Sequence, residues 1–271
     1  MSLKRSNYLH LQGSDPIPEG FDGFRIGSES CSQLLPSVEK IRVMSENRDP
    51  SSLSLVTPVA GPDEVGDVLD AVNTAVSHGW GEVVVNDWGV LDEVGVLEGI
   101  GITAGRLLMR FRRGPGKFDL SEELGDELDL STRRYFAWGP LYDSPFLAFL
   151  KGNGIDRIEL DPPRHWFPLP DLDGFSFSLH HGTRLISVSG ACPWLYDEEK
   201  GAWKPLVNCE RSCAGTDIVM TNPSLKGPLM LKGRAILERV DLDMIELQLP
   251  DSVDRVIYDR IPCEESDKIS R

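Results

Sequence analysis

LSLVTPVAGPDEVGDVLDAVNTAVSHGWGEVVVN, residues 53–86, reads as strand, helix and strand. Leu53–Thr57 and Glu82–Asn86 are short runs of Leu, Val and Thr or Val, bounded by Pro, Gly and Asn as strands are. Between them Val65, Val68, Leu69, Val72 and Val76 fall on one face at helical spacing. Pro62 suits a first turn and Gly79 the position just past a helix end, which predicts a helix over Pro62–His78. Two strands joined by a helix of this length form a parallel crossover.

Working outward, the same pattern recurs without an internal repeat. Further strands are expected at Gly23–Ile26, Ile102–Leu107, Asp156–Leu160, Phe175–Leu179, Leu185–Ser189, Asp217–Thr221 and Met244–Leu249. Helices are expected at Val90–Leu97, Pro145–Lys151 with Ser144 as cap, Leu231–Val240 and Ser252–Arg260. Alternating strands and helices predict an α/β fold, and their number suits a single (β/α) TIM-barrel-like domain over residues 1–271. No helix fits between the first apolar run, Tyr8–Leu11, and Gly23, so the barrel is expected to be incomplete or distorted at its N-terminus. Residues 110–143, rich in charge, Gly and Pro, read as a long connection or lid.

A net charge of −15 repels phosphate backbones, so no nucleic-acid partner is expected. The basic clusters, Arg106–Lys117 and Arg133-Arg134, suit either anion binding or, as the plainer reading, a solvated loop or helix face. No apolar run approaches the roughly 18 residues of a membrane helix. The first twenty residues lack the apolar stretch of a signal peptide, which predicts a cytoplasmic chain with reduced cysteines.

Five cysteines then need a reason. Sixteen residues separate Cys192 from Cys209, and three separate Cys209 from Cys213, with Cys31 far upstream and Cys263 far downstream. Cys31 and Cys192 follow expected strands, and residues just after strands gather on the C-terminal face of a parallel barrel. Four thiolates suit a structural zinc or an iron–sulfur cluster. Zinc ribbons bring two close pairs and only one is present; unrelated buried thiols are the third reading.

His181-Gly182, an apolar strand and Ser189-Gly190-Ala191-Cys192 together resemble a hallmark of the U32, or collagenase-like, peptidase family. Cys209-Glu210-Arg211-Ser212-Cys213, Val83–Leu91 (VVVNDWGVL) and Gly105-Arg106-Leu107-Leu108 are similar to further elements of that family. Gly27–Ser32 (GSESCS) resembles its UbiV-like branch. The resemblance covers residues 20–260; it departs at Ala191, where the family has Arg, and lacks a Gln-Pro at the second cysteine element. It implies a 4Fe–4S cluster held by Cys31, Cys192, Cys209 and Cys213; Cys263 is set aside because it follows the expected last helix, which in a barrel runs back towards the opposite face. It also implies oxygen-independent hydroxylation of a small aromatic or quinone-like substrate beside a UbiU-like sister protein. The alternatives are a U32-type peptidase or a non-catalytic subunit carrying a cluster or zinc.

Asp87, Arg106, Glu159 and His181 are the residues expected to line the substrate site. Asp87 and Glu159 sit at expected strand ends, Arg106 can grip a carboxylate with two bonds, and the family match favours His181 over His180. Each has a plain structural reading too: a turn, a solvated end, an ion pair or a core histidine. No G-x-S-x-G or H-E-x-x-H motif is present.

Overall fold

The computed structural model describes residues 5–11, 18–95, 97–109, 127–162, 169–206, 209–214, 216–223, 227–240 and 249–259. Seven parallel strands come first: β1 (Ser6–Leu11), β2 (Gly23–Gly27), β3 (Leu53–Val56), β4 (Glu82–Val85), β5 (Gly101–Ala104), β6 (Ile155–Leu160) and β7 (Ser176–His181). Then come β8 (Thr183–Val188), β9 (Tyr196–Asp197), β10 (Ala202–Trp203), β11 (Ile218–Met220), β12 (Leu229–Lys232) and β13 (Ala235–Arg239). The last strand, β14 (Val253–Asp259), pairs in parallel with both β7 and β1 and closes an eight-stranded barrel.

The barrel is therefore complete. No described residue between β1 and β2 is helical, as expected, yet the two strands pair directly, Tyr8 opposite Gly23 and Leu11 opposite Ile26. Helices cover the middle of the barrel: α1 (Val38–Asn47), α2 (Val65–Ser77), α3 (Trp88–Val94), α4 (Leu130–Trp138) and α5 (Ser144–Gly152). α2 buries Val68, Ala71, Val72 and Ala75 against the strands, each valine stabilising by roughly 1.5–3 kcal/mol. Asp143, one residue earlier than Ser144, caps α5 by accepting from the Phe146 amide. Residues 110–126 of the expected long connection lie outside the described residues, and α4 occupies its later part.

Two expected strands lie outside the barrel, and two expected helices are overturned. Leu185–Ser189 and Asp217–Thr221 correspond to β8 and β11, which belong not to the barrel but to an antiparallel sheet of order β11-β12-β13-β8. Leu231–Val240 is a hairpin rather than a helix, because Gly233, at φ +59°, turns the chain between β12 and β13. Ser252–Arg260 is strand β14, not a helix. Of Met244–Leu249, residues 244–248 lie outside the described residues.

The two faces of the barrel wall differ in chemistry. Outward residues such as Phe24, Ile26, Leu53, Leu55, Val83, Val85, Ile158 and Leu160 pack into one apolar core with the helices. The alternating inward positions carry charge. On the lower floor Glu82 accepts from Ser54 and Thr103 hydroxyls, both at 2.5 Å, and from Arg255 at 2.7 Å. The Arg255 guanidinium lies 4.0 Å from the Tyr8 ring centroid. Buried charge is tolerated only when paired in this way.

Candidate functional site

The upper floor of the lumen is a second and denser network at the C-terminal mouth. Arg25, from β2, is clamped by Glu159 of β6, Nε to Oε1 at 2.7 Å and Nη2 to Oε2 at 2.6 Å. It also donates to Glu29 at 2.6 Å and to Nδ1 of His10 at 2.6 Å. Arg106 grips Glu29 with bonds of 2.6–2.9 Å and reaches Asp161 at 2.8 Å, with Asp259 at 3.8 Å. His180 of β7 stands in the middle, Nε2 at 3.4 Å from Glu159. Its Nδ1 lies 3.6 Å from Asp259, beyond hydrogen-bond length, and is a buried atom with no hydrogen-bond partner among the described residues.

These contacts fix the charges. Burial opposes ionisation of Glu29, Glu159 and Asp259, but the neighbouring arginines outweigh it and hold all three carboxyls below their usual range, Glu159 at about 2. His10 is pushed down to about 3 by burial and by Arg25, so it is neutral and free to accept the guanidinium bond. Burial and Arg106 pull His180 down, yet Asp259 and Glu159 raise it overall, which favours the imidazolium. Glu29, Glu159 and His180 bring ligand atoms within 4.8 Å of one another. Arg25 and Arg106 already occupy those carboxylates, so the trio reads as an ion-pair centre rather than a metal site.

The antiparallel sheet roofs this mouth. β8 leaves the barrel directly from β7, its Leu185 amide donates to Asp161 at 3.1 Å, and Arg184 donates to the Pro162 carbonyl at 2.7 Å. Lys232, Ala235 and Leu237 of the roof enclose a cavity of about 20 Å³ with His10, Ser28, Glu29, Ser30, Arg106 and Asp259. That volume admits a water-sized group.

Cys31 follows the cavity wall in the chain, in the loop that leaves β2. Gly27 starts this loop at φ +130°, where a Cβ would collide with the Val56 carbonyl. Cys31, Cys192 and Cys213 are buried and Cys209 is half-buried; all four are free thiols. They lie close enough to interact electrostatically. Burial first, and then Cys31, Cys192 and Cys209, push the Cys213 thiol up to about 11. Cys31 is raised by burial, with Cys192 and Cys209 adding to it and Arg234 opposing. Cys31 and Cys213 pack with Leu34, and with Trp194 and Leu206 beside them. Arg211, at φ 57°, bends the segment between Cys209 and Cys213, and its amide donates to the Cys209 sulfur at 3.3 Å.

The donor set fits a cationic metal group. Burial and the neighbouring thiols raise Cys31 and Cys213, and that cost is relieved when a metal displaces their protons. Trp194 Nε1, beside the same thiols, is a buried donor with no hydrogen-bond partner among the described residues, as suits a bound acceptor.

The structure gathers the four expected cysteines; Cys263 lies outside the described residues. Of the residues expected around the substrate, Arg106 and Glu159 are in the mouth network, already engaged with protein partners. Asp87 instead caps α3, accepting from the Gly89 and Val90 amides at 2.8 and 3.2 Å. His181 points away from His180, its ring centroid 4.8 Å from that of Tyr258. Sequence reasoning missed Arg25, Glu29, His10 and Asp259. A signal existed: a charged residue flanked by apolar ones inside a short strand, as in Phe24-Arg25-Ile26, marks a polar lumen.

No family model matches the chain, and the search of curated proteins returned no match. Among solved structures it is similar to a U32 peptidase, at 12% identity over 96% of this chain and 94% of the other, with a TM-score of 0.42. It is also similar to a family 18 glycoside hydrolase, an N-acetylglucosaminidase from Paenibacillus barengoltzii, at 12% identity over 91% and 79% of the two chains, with a TM-score of 0.32.

Proposed function

We propose that the chain is an iron–sulfur protein of the U32 type, with Cys31, Cys192, Cys209 and Cys213 as ligands of a 4Fe–4S cluster. It acts in or supports the oxygen-independent hydroxylation of an aromatic or quinone-like molecule, with a UbiU-like sister protein as partner. The observation that carries this reading is the meeting of four free thiols, from three separate loops, above the mouth of a charged barrel. The sequence motifs around Cys31, Cys192 and Cys209 support the same assignment.

The bound cluster supplies one-electron chemistry. The chain's own residues supply the rest. The loop Gly27–Ser32 serves both sites, because Ser28, Glu29 and Ser30 line the cavity and Cys31 comes next. A substrate group entering the cavity meets the Glu29–Arg106 pair, Asp259 and the Lys232 ammonium, which orient it. His180, favoured as imidazolium, holds a proton at Nδ1 beside Asp259. The roof formed by β12 and β13 shields the mouth from bulk water, which strengthens each of these charges.

Anaerobic reconstitution of single variants tests the ligand set. Cys31→Ala should abolish the brown cluster absorbance and Cys263→Ala should leave it intact. The reverse result would overturn the assignment, and peptide hydrolysis by metal-free protein would favour a peptidase.

A further inference from the structure

The turn that joins β12 to β13 places Gly233 at φ +59° and the buried Arg234 after it. The Arg234 side chain runs away from its own sheet into the loops that bear the cysteines. Nε donates to the Ser30 carbonyl at 2.5 Å, directly before Cys31. Nη1 donates to the Gly190 carbonyl at 3.3 Å, two residues before Cys192. Nη2 reaches the Val59 carbonyl at 3.4 Å and Glu64 at 3.3 Å. Glu64 in turn accepts from the Ser32 hydroxyl at 2.5 Å, on the other side of Cys31. One planar guanidinium thus ties together both flanks of Cys31 and the approach to Cys192, which an ammonium on a flexible stem cannot do.

Among the described residues three of its four partners are neutral carbonyls, and Glu64 is the one ion-pair partner. A buried cation with so little direct compensation keeps an outward field. Its guanidinium lies against the carbonyls that lead into Cys31 and Cys192. A group ligated by four thiolates carries net negative charge and is the natural complement.

We infer that Arg234 is the positioning residue of the metal centre, clamping the Cys31 and Cys192 loops together and setting its positive charge against the bound cluster. This rests on the proposed iron–sulfur reading. The clamp slows loss of metal, and the charge favours the reduced, more negative state of the cluster.

The test compares wild type, Arg234→Gln and Arg234→Lys after anaerobic reconstitution. Iron release to a chelator and the midpoint potential are read for each. In Arg234→Gln, release should quicken at least tenfold. Its reduced-to-oxidised ratio at fixed potential should fall about tenfold, a midpoint about 59 mV more negative for a one-electron couple. Arg234→Lys keeps the charge and loses the fork, so it should hold a near-wild-type potential yet release iron faster. A merely structural arginine would alter thermal stability while leaving the potential of the loaded fraction unmoved. Wild-type potential and release in Arg234→Gln would overturn the inference while the cluster reading stands. Failure of the wild type to take up iron would overturn the cluster reading, and this inference with it.

Discussion

Glu159→Gln removes one charge from the centre of the mouth network and almost no volume. Glu159 is fully buried and receives two bonds from Arg25, at 2.7 and 2.6 Å. Its carboxyl is depressed from 4.5 to about 2, burial opposing the shift while Arg25 and His180 outweigh it. At about 1.4 kcal/mol per pH unit this corresponds to about 3 kcal/mol of stability at neutral pH. Breaking a buried ion pair from one side costs about 3–5 kcal/mol, and Gln retains one acceptor oxygen, so the two routes agree near the lower figure. For a chain of this length about 3 kcal/mol lowers the melting temperature by about 5 °C. A depressed carboxyl contributes above its unfolded value and loses that contribution as pH falls through its folded one. The gap between wild type and variant should therefore be full at pH 7, shrink below 4.5 and close near 2. Urea denaturation of metal-free protein across that range measures it. A gap below about 1 kcal/mol at pH 7, or one that stays constant down to pH 3, would refute the pairing of Glu159 with Arg25.

His10 is held neutral in the fold down to about pH 3, so the unfolded chain takes up its proton first and stability falls as pH drops from 6.5. His10→Asn, which keeps an acceptor for Arg25, should flatten that fall between pH 6.5 and 5 in urea titrations; parallel curves would contradict it. Asp87→Ala should cost about 1 kcal/mol as a lost helix cap, with metal content unchanged. A drop in metal content with unchanged stability would instead place Asp87 in the site. With a net charge of −15, no micromolar binding to transfer RNA is expected at physiological salt, as measured by fluorescence anisotropy.

The strands from β2 to β7 are legible because their outward residues are apolar and their ends carry Gly, Pro or Asn. β14 is not: Val253, Val256 and Ile257 fall at i, i+3 and i+4, and the alternation that would mark a strand is masked by Arg255 and Asp259 facing a charged lumen. Leu231, Ile236 and Leu237 misled in the same way, since Gly233 reverses the chain between them. Cys192 reaches the mouth as expected, though by another route. Its strand β8 rises from the top of β7 as a roof and is not a barrel stave. The gathering of the cysteines could be read from spacing and motif. The mouth network is legible only in part: Arg106 and Glu159 are expected, but their partners Arg25, Glu29 and Asp259 lie far from them in the chain and meet them only through barrel closure. Strand parity, which sends neighbouring side chains to opposite faces, puts His180 rather than His181 in the mouth network.

The most direct test of the central claim is the ratio of iron to acid-labile sulfide per chain after anaerobic purification and reconstitution. A cluster on Cys31, Cys192, Cys209 and Cys213 predicts about four irons and about four sulfides per chain, both lost in Cys213→Ala. About one zinc per chain without sulfide, or iron that survives removal of Cys213, would contradict it.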